Sequence, residues 1–403
     1  SPLQQRPYTV SETQTGLRLV ASPNTNATIK ELAVQTHSNH IFFSYGLASR
    51  STTWERGNDP MTKFSFTGDI DPYGQPLSQI SIAVPRGKDP RTGGELASHG
   101  GVYDPARGYD ATIQYTHYIH KDETGQYMVD RVKQARSYEA TNDGSMSVFT
   151  LRDDMLRPVV EWATSTPRLL ALAYTYYDGD PYFGLAYGEL GAYGLPVRNL
   201  VLRVQPAELD VFGALPPPFD VGDWSGHPAG YASELGGLFG GTTGGYQWRA
   251  GGSGDEDFAE GYYALDMTTY DHQVWSAPHR GLPVAKLDTF FNPTYIGYDP
   301  YQVFPTWVQD AMYMVTYAGY DYRVMQVGGI LDANENATYF GFTPLGLMHK
   351  TAVGGKYLAP EGDSLEAPGV LLEYDLFAYM DRGEPVRVKT TQRQHHVNAP
   401  YSG

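Results

Sequence analysis

Glycine and proline interrupt this chain too often for a long helix to form. Forty-five glycines and 28 prolines are spread through 403 residues. Each either loosens the backbone or removes a hydrogen-bond donor inside an element. Between them lie short runs of alternating apolar and polar residues. In residues 77–84, Ile80, Ile82 and Val84 alternate with Gln79, Ser81 and Ala83. In residues 111–120, Ile113, Tyr115, His117 and Ile119 face one way, and Gln114, Thr116, Tyr118 and His120 the other. A period of two marks half-buried β-strands, and about 20 such segments can be counted.

The expected fold is therefore all-β: an antiparallel β-sandwich of jelly-roll type, in two β-rich domains with long loops. The alternative is a multi-bladed β-propeller. A parallel α/β fold is excluded, because it needs regular intervening helices. Propeller blades would repeat at about 40–50 residues, and no such period is visible. Two stretches read as helix. Residues 153–163 carry Met155, Val159 and Trp162 at helical spacing, with Pro158 inside, so a short helix starting near Pro158 is expected. Residues 307–315 carry Trp307, Ala311, Met314 and Val315 as an apolar stripe.

The composition divides the chain into a polar N-terminal arm (1–16), a first β-rich domain (17–214), a glycine- and proline-rich loop anchored by aromatics (215–260), a second β-rich domain (261–389) and a polar C-terminal arm (390–403). Residues 85–110 form another excursion rich in helix and strand breakers, of a length that marks a surface or functional loop. The start, Ser1-Pro2, reads as a chain that has lost its initiator methionine, with no secretory signal.

Cysteine is absent, which excludes disulfides, thiolate metal sites and cysteine nucleophiles. The net charge of -16 is opposite to that of a free nucleic-acid binder. No apolar run is long enough to span a membrane. No phosphate-binding loop, GxSxG elbow, HExxH or dinucleotide fingerprint occurs. His37/His40 and His117/His120 are spaced i, i+3 in strand-like segments, which points each pair to opposite faces. Only one histidine from each pair, joined by Asp104 or Asp110, would make a metal site; no metal and no cofactor is expected. The acids Asp69/Asp71, Asp178/Asp180 and Asp255/Glu256/Asp257/Glu260 complete no calcium loop and read as turn formers. Asn26 and Asn336 each begin an N-A-T triplet of the glycosylation type.

With no catalytic motif and 32 tyrosines, the sequence reads as a structural, self-assembling protein, a viral or phage capsid subunit residing in a virion. Tyrosine supplies broad contact area with one hydrogen bond, as interfaces require. The arms, with Tyr8 and Tyr401, would reach neighbouring copies of the chain or other structural proteins. Arg387, Lys389 and Arg393 would make weak nucleic-acid contact. The alternative is an extracellular carbohydrate-active enzyme on a propeller, a polyuronate lyase or glycosidase. There His117 or Tyr182 would abstract a proton α to a uronate carboxylate and Arg198 would neutralise that carboxylate.

Overall fold

The computed structural model describes residues 8–21, 41–54, 59–97, 103–205, 246–252, 256–276, 278–356 and 361–398. Among them are nineteen strands and very little helix. The chain divides into two compact units, residues 1–178, 184–240 and 246–265, and residues 179–183, 241–245 and 266–403.

The first unit carries β1 (Thr9–Ala21), β2 (Ile41–Thr53), β3 (Met61–Thr67), β4 (Ser78–Val84), β5 (Asp110–Glu123), β6 (Gln126–Thr141), β7 (Thr166–Tyr177), β8 (Pro196–Val204), β9 (Gln247–Arg249) and the start of β10 (Gly261–Tyr270). From β1 to β8 each strand pairs antiparallel with the next, and β10 joins β8 and β9. This is a meander. The Greek-key crossovers of a jelly roll are not among the described pairings, nor is any pairing that would close this sheet into a barrel or propeller. Residues 9–16, expected as an arm, are strand paired with β2.

The alternation in β4 is real: Ile80, Ile82 and Val84 are buried beside Phe64, Phe66 and Ile113. Helix α1 (Val148–Met155) covers this core with Val148, Leu151 and Met155. Ser147 caps it, accepting the Thr150 N–H at 3.1 Å. The expected helix beyond Pro158 is only a 3-10 turn (Val159–Glu161). Proline disfavours helical backbone in the residue before it, so α1 ends upstream.

The second unit continues the meander through β11 (Pro283–Leu287), β12 (Pro293–Tyr298), β13 (Pro305–Gln309), β14 (Val315–Asp321), β15 (Gln326–Leu331), β16 (Asn336–Phe342), β17 (Met348–Lys356), β18 (Val370–Asp375) and β19 (Arg387–Gln392), each paired with the next. It also holds helices α2 (Asp271–Val274) and α3 (Ala378–Arg382). The helix expected over 307–315 is strand, turn and strand: its apolar stripe alternates across a sheet. No helix among the described residues is long and apolar enough to cross a membrane.

A repeat governs this unit. Asp288, Asp299, Asp310, Asp321 and Asp332, then Thr343, stand eleven residues apart, one at each hairpin turn from β11 to β17. Asp288, Asp310 and Asp332 each accept two backbone N–H groups, from the second and fourth residues beyond, at 2.8–2.9 Å. At Thr343 the hydroxyl takes over, accepting the Leu347 N–H at 3.1 Å. Phe291, Gln302, Tyr313, Met325, Glu335 and Gly346 supply the left-handed residue that completes each turn. Every second strand carries T-Y-x-G-[YF], at 294–298, 316–320 and 338–342, and each copy has a register shift after its glycine. Tyr298 and Tyr320 use their hydroxyls alike, donating to Pro283 O and Pro305 O at 2.9 Å.

Candidate functional site

Ionisable and aromatic groups converge most densely on one face of β6–β10 in the first unit. Register places Gln134 opposite Tyr174 and Tyr176 opposite Arg198. On β9, Gln247 lies opposite Tyr263 and Arg249 opposite Gly261. Alternation along each strand adds Arg136 to the same face as Gln134. Phe258 packs on Tyr174 and Tyr263, with centroids 4.6 and 5.5 Å away. Tyr187 meets Tyr174 and Tyr176 at 5.9 and 5.8 Å.

Residues 256–258 are fastened across this face. Gln134 donates to Glu256 O at 3.1 Å, and Tyr174 to Asp257 O at 2.9 Å. Arg136 donates to Asp257 O and to its carboxylate at 2.9 and 3.1 Å. Arg198 is different. Its guanidinium stacks on Tyr176, 4.0 Å from the ring centroid, and no hydrogen bond or ion pair engages it among the described residues. Arg249 lies over Phe258 at 5.5 Å and, among the described residues, bonds Gln247 alone. The Nε atoms of Arg136, Arg198 and Arg249 are all buried without an acceptor.

Burial, aided by the neighbouring Arg249 charge, pulls the Arg198 pKa below the ordinary guanidinium value. Burial pushes Tyr176 up to about 12. That phenol is neutral at physiological pH and cannot serve as a counter-charge. Among the described residues, three guanidinium groups thus face the carboxylates of Asp257 and Glu256, and of these two Asp257 forms the ion pair, with Arg136.

The residues singled out from sequence are scattered. His117 and Arg198 share a sheet face, but β6 and β7 separate them. Burial, then the charges of Lys133 and Arg136, lower the His117 pKa. Tyr182 has a left-handed backbone, φ 66°, and belongs to the second unit. His120 Nε2 lies 2.8 Å from the buried Asp71, whose other oxygen closes the β3–β4 turn through Tyr73 and Gln75 N–H. Asp178 holds the N–H groups of Gly191, Gly194 and Leu195. These acids are loop fasteners, and no metal-holding group of three His, Asp or Glu exists among the described residues. Asn336 donates to the Asp332 carboxylate. Tyr8 is exposed beside the first strand, its carbonyl bonded to Trp54 N–H. Lys389 pairs with Glu373, Arg387 with Asp375 and Glu384, and Arg393 donates to Pro368 O. His37, His40, Asn26, Asp255 and Tyr401 lie outside the described residues.

The second unit offers a surface of another kind. In β12–β17 only Gly297, Ala337 and Ala352 are buried among the described residues. Tyr295, Trp307, Tyr317, Leu331 and Tyr339 fall on one face by register. The four aromatics keep 36–51% exposure. Sequence reading missed both this row and the arginine face, since each is assembled by strand register. The repeated T-Y-x-G-[YF] was the available signal.

Residues 1–99 match a family model described as the insecticide toxin TcdB middle/C-terminal region. Among curated proteins none matches. The fold is similar to that in a crystal structure of TcdB2-TccC3, with TM-score 0.67 and 17% identity over 97% of this chain and 19% of that one. A Photorhabdus luminescens Tc holotoxin pore carrying a TccC3 mutation matches with TM-score 0.62 and 16% identity, over 95% of this chain and 18% of that one. A TcdB2-TccC3-Cdc42 crystal structure gives 0.61 and 16%, over 93% and 18%. The chain spans under a fifth of the length of these relatives. The capsid, virion and propeller-enzyme expectations are corrected by these likenesses: the fold shared over nearly the whole chain is that of Tc-toxin components. Alternating strands, tyrosines and polar ends are common to any large β assembly, which is why composition pointed to a coat protein.

Proposed function

We propose that this chain is a structural, non-catalytic β-module of a TcdB-type component of a toxin complex. Its second unit presents an aromatic sheet face to a distinct polypeptide of that complex. The single observation that carries the reading is the in-register row Tyr295, Trp307, Tyr317, Leu331 and Tyr339 on strands with almost no buried side chains. A sheet normally buries one face against a second layer, and a contiguous exposed apolar patch marks an interaction surface. On this reading the partner polypeptide supplies the second layer that a sandwich requires. The fold likeness to chains containing TcdB2 and TccC3 supports a TccC-type partner.

The test is co-expression with a TccC-type chain from the same source, followed by light scattering of the purified material. The native chain should elute with its partner, and the double substitution Tyr317→Ser, Tyr339→Ser should release it with an unchanged far-ultraviolet spectrum. A complex that survives the double substitution overturns the reading.

A further inference from the structure

We propose that Arg198 and Arg249 form a docking site for the carboxylate of an acidic, aromatic-containing peptide segment from another polypeptide. The site lies in the first unit and stands apart from the meander reading: either can fail without the other.

The geometry already contains an occupied example of this recognition. On β6, across β7 from Arg198, Arg136 takes the Asp257 carboxylate at 3.1 Å and its carbonyl at 2.9 Å, while Phe258 packs on Tyr174. A carboxylate followed by an aromatic ring is thus what this face binds within the chain itself. Arg198 and Arg249 repeat the offering without the guest. Among the described residues, Arg198 is held in place by the Tyr176 ring alone. Arg249 is held by Phe258 and Gln247. Among the described residues Glu256 acts on Arg198 through its charge alone and forms no ion pair with either arginine.

Keeping a guanidinium half-buried and unpaired costs free energy that a stacked aromatic offsets only in part. Such an arrangement is unfavourable for stability alone and favourable for binding, because the arginines are pre-positioned before the ligand arrives. A planar fork suits a planar carboxylate. Phosphate sites usually present free backbone N–H groups from a glycine-rich turn or a helix N-terminus; in the turn that follows Arg249, the Gly252 N–H is already given to Phe258 O at 3.2 Å. Tyr176, Tyr187 and Phe258 provide rings for an aromatic side chain next to the carboxylate.

The experiment titrates the full chain with a blocked Glu-Tyr-Glu tripeptide, and separately with inorganic phosphate, by isothermal calorimetry. The tripeptide should bind, and Arg198→Gln and Arg249→Gln should each weaken it about tenfold or more. Arg198→Lys should recover only part of the loss, and Arg387→Gln should change nothing. Since Arg198 satisfies no partner, Arg198→Gln should leave the melting temperature unchanged or raised. As a readout that does not depend on folding of the variants, the tripeptide should protect Arg198 and Arg249 of the native chain from phenylglyoxal, as mapped by mass spectrometry. The proposal is overturned by tripeptide affinity equal in native and variant chains, by absent protection, or by phosphate binding where the tripeptide does not. A fall in melting temperature for Arg198→Gln with no change in binding would also overturn it, assigning Arg198 a packing role.

Discussion

Trp307 lays its indole across Gly297, the residue directly opposite it on the adjacent strand, and a Cβ at position 297 would collide with the indole Nε1 and Cε2. The same device recurs in the first unit, where the Tyr45 ring covers its cross-strand partner Gly16. An aromatic lying over a glycine recovers the side-chain contact that glycine lacks, and pins register where the sheet has few buried side chains.

Gly297→Val is therefore expected to expel the indole and destabilise the chain by about 1–3 kcal/mol, as overpacking does. Tryptophan fluorescence should shift to the red in the same variant, and urea unfolding gives the energy. Gly319→Val, where a Cβ meets nothing within 4 Å, is the control and should cost less.

Glu335 holds a left-handed backbone, φ 67°, at the turn between β15 and β16. A side chain in that conformation costs roughly 1–2 kcal/mol, and glycine adopts it freely. Glu335→Gly should raise the urea midpoint, whereas the same change at a strand position such as Thr338 should lower it.

Acid should weaken the fold through its buried aspartates. Burial works against ionisation of Asp271, but the N–H groups of Arg280, Leu282, His272 and Gly281 outweigh it and hold the carboxyl below its ordinary value of 3.8. At Asp154 burial is likewise outweighed by Ala163 and Thr164 N–H and by the Thr164 and Ser165 hydroxyls. With the folded pKa below the unfolded one, the unfolded chain takes up the proton first. The stabilisation is complete above about pH 4 and is lost as pH falls through the folded pKa. Asp271→Asn should cost about 1–3 kcal/mol at neutral pH, the penalty of an unsatisfied N–H. Its stability should also decline less steeply in acid, measured by urea unfolding between pH 7 and pH 3.

Base acts through tyrosine. Burial pushes Tyr109, Tyr115, Tyr176 and Tyr177 up to about 12. Their folded pKa lies above the unfolded value of 10.0, so their contribution to stability is intact below that value and is lost as pH rises toward about 12. Phenolate absorbance should rise in two steps, the later one coinciding with loss of the folded circular dichroism signal.

Strand existence was legible from residue alternation: β4 and β5 lie where Ile80, Ile82 and Ile113 placed them. Helix was not. Met155 and Trp162 mimicked one helix across Pro158, while the segment that does form α1 begins at Val148, upstream of that spacing. At Trp307 to Val315 a stripe of helical spacing was produced by two strands meeting at a turn. The repeat escaped because its period was sought at blade length, whereas it resides in a turn aspartate every eleven residues. Arg198 stood out among the candidates, but Arg136 and Arg249 did not, since only strand register brings such distant positions onto one face.

Because each hairpin from β11 to β17 is closed by its own turn acceptor, strand pairs there can be gained or lost as independent cassettes. A duplication of 22 residues restores strand direction and facing together. Half that length would reverse the chain's path, so lineages carrying this meander should differ in copy number by whole pairs.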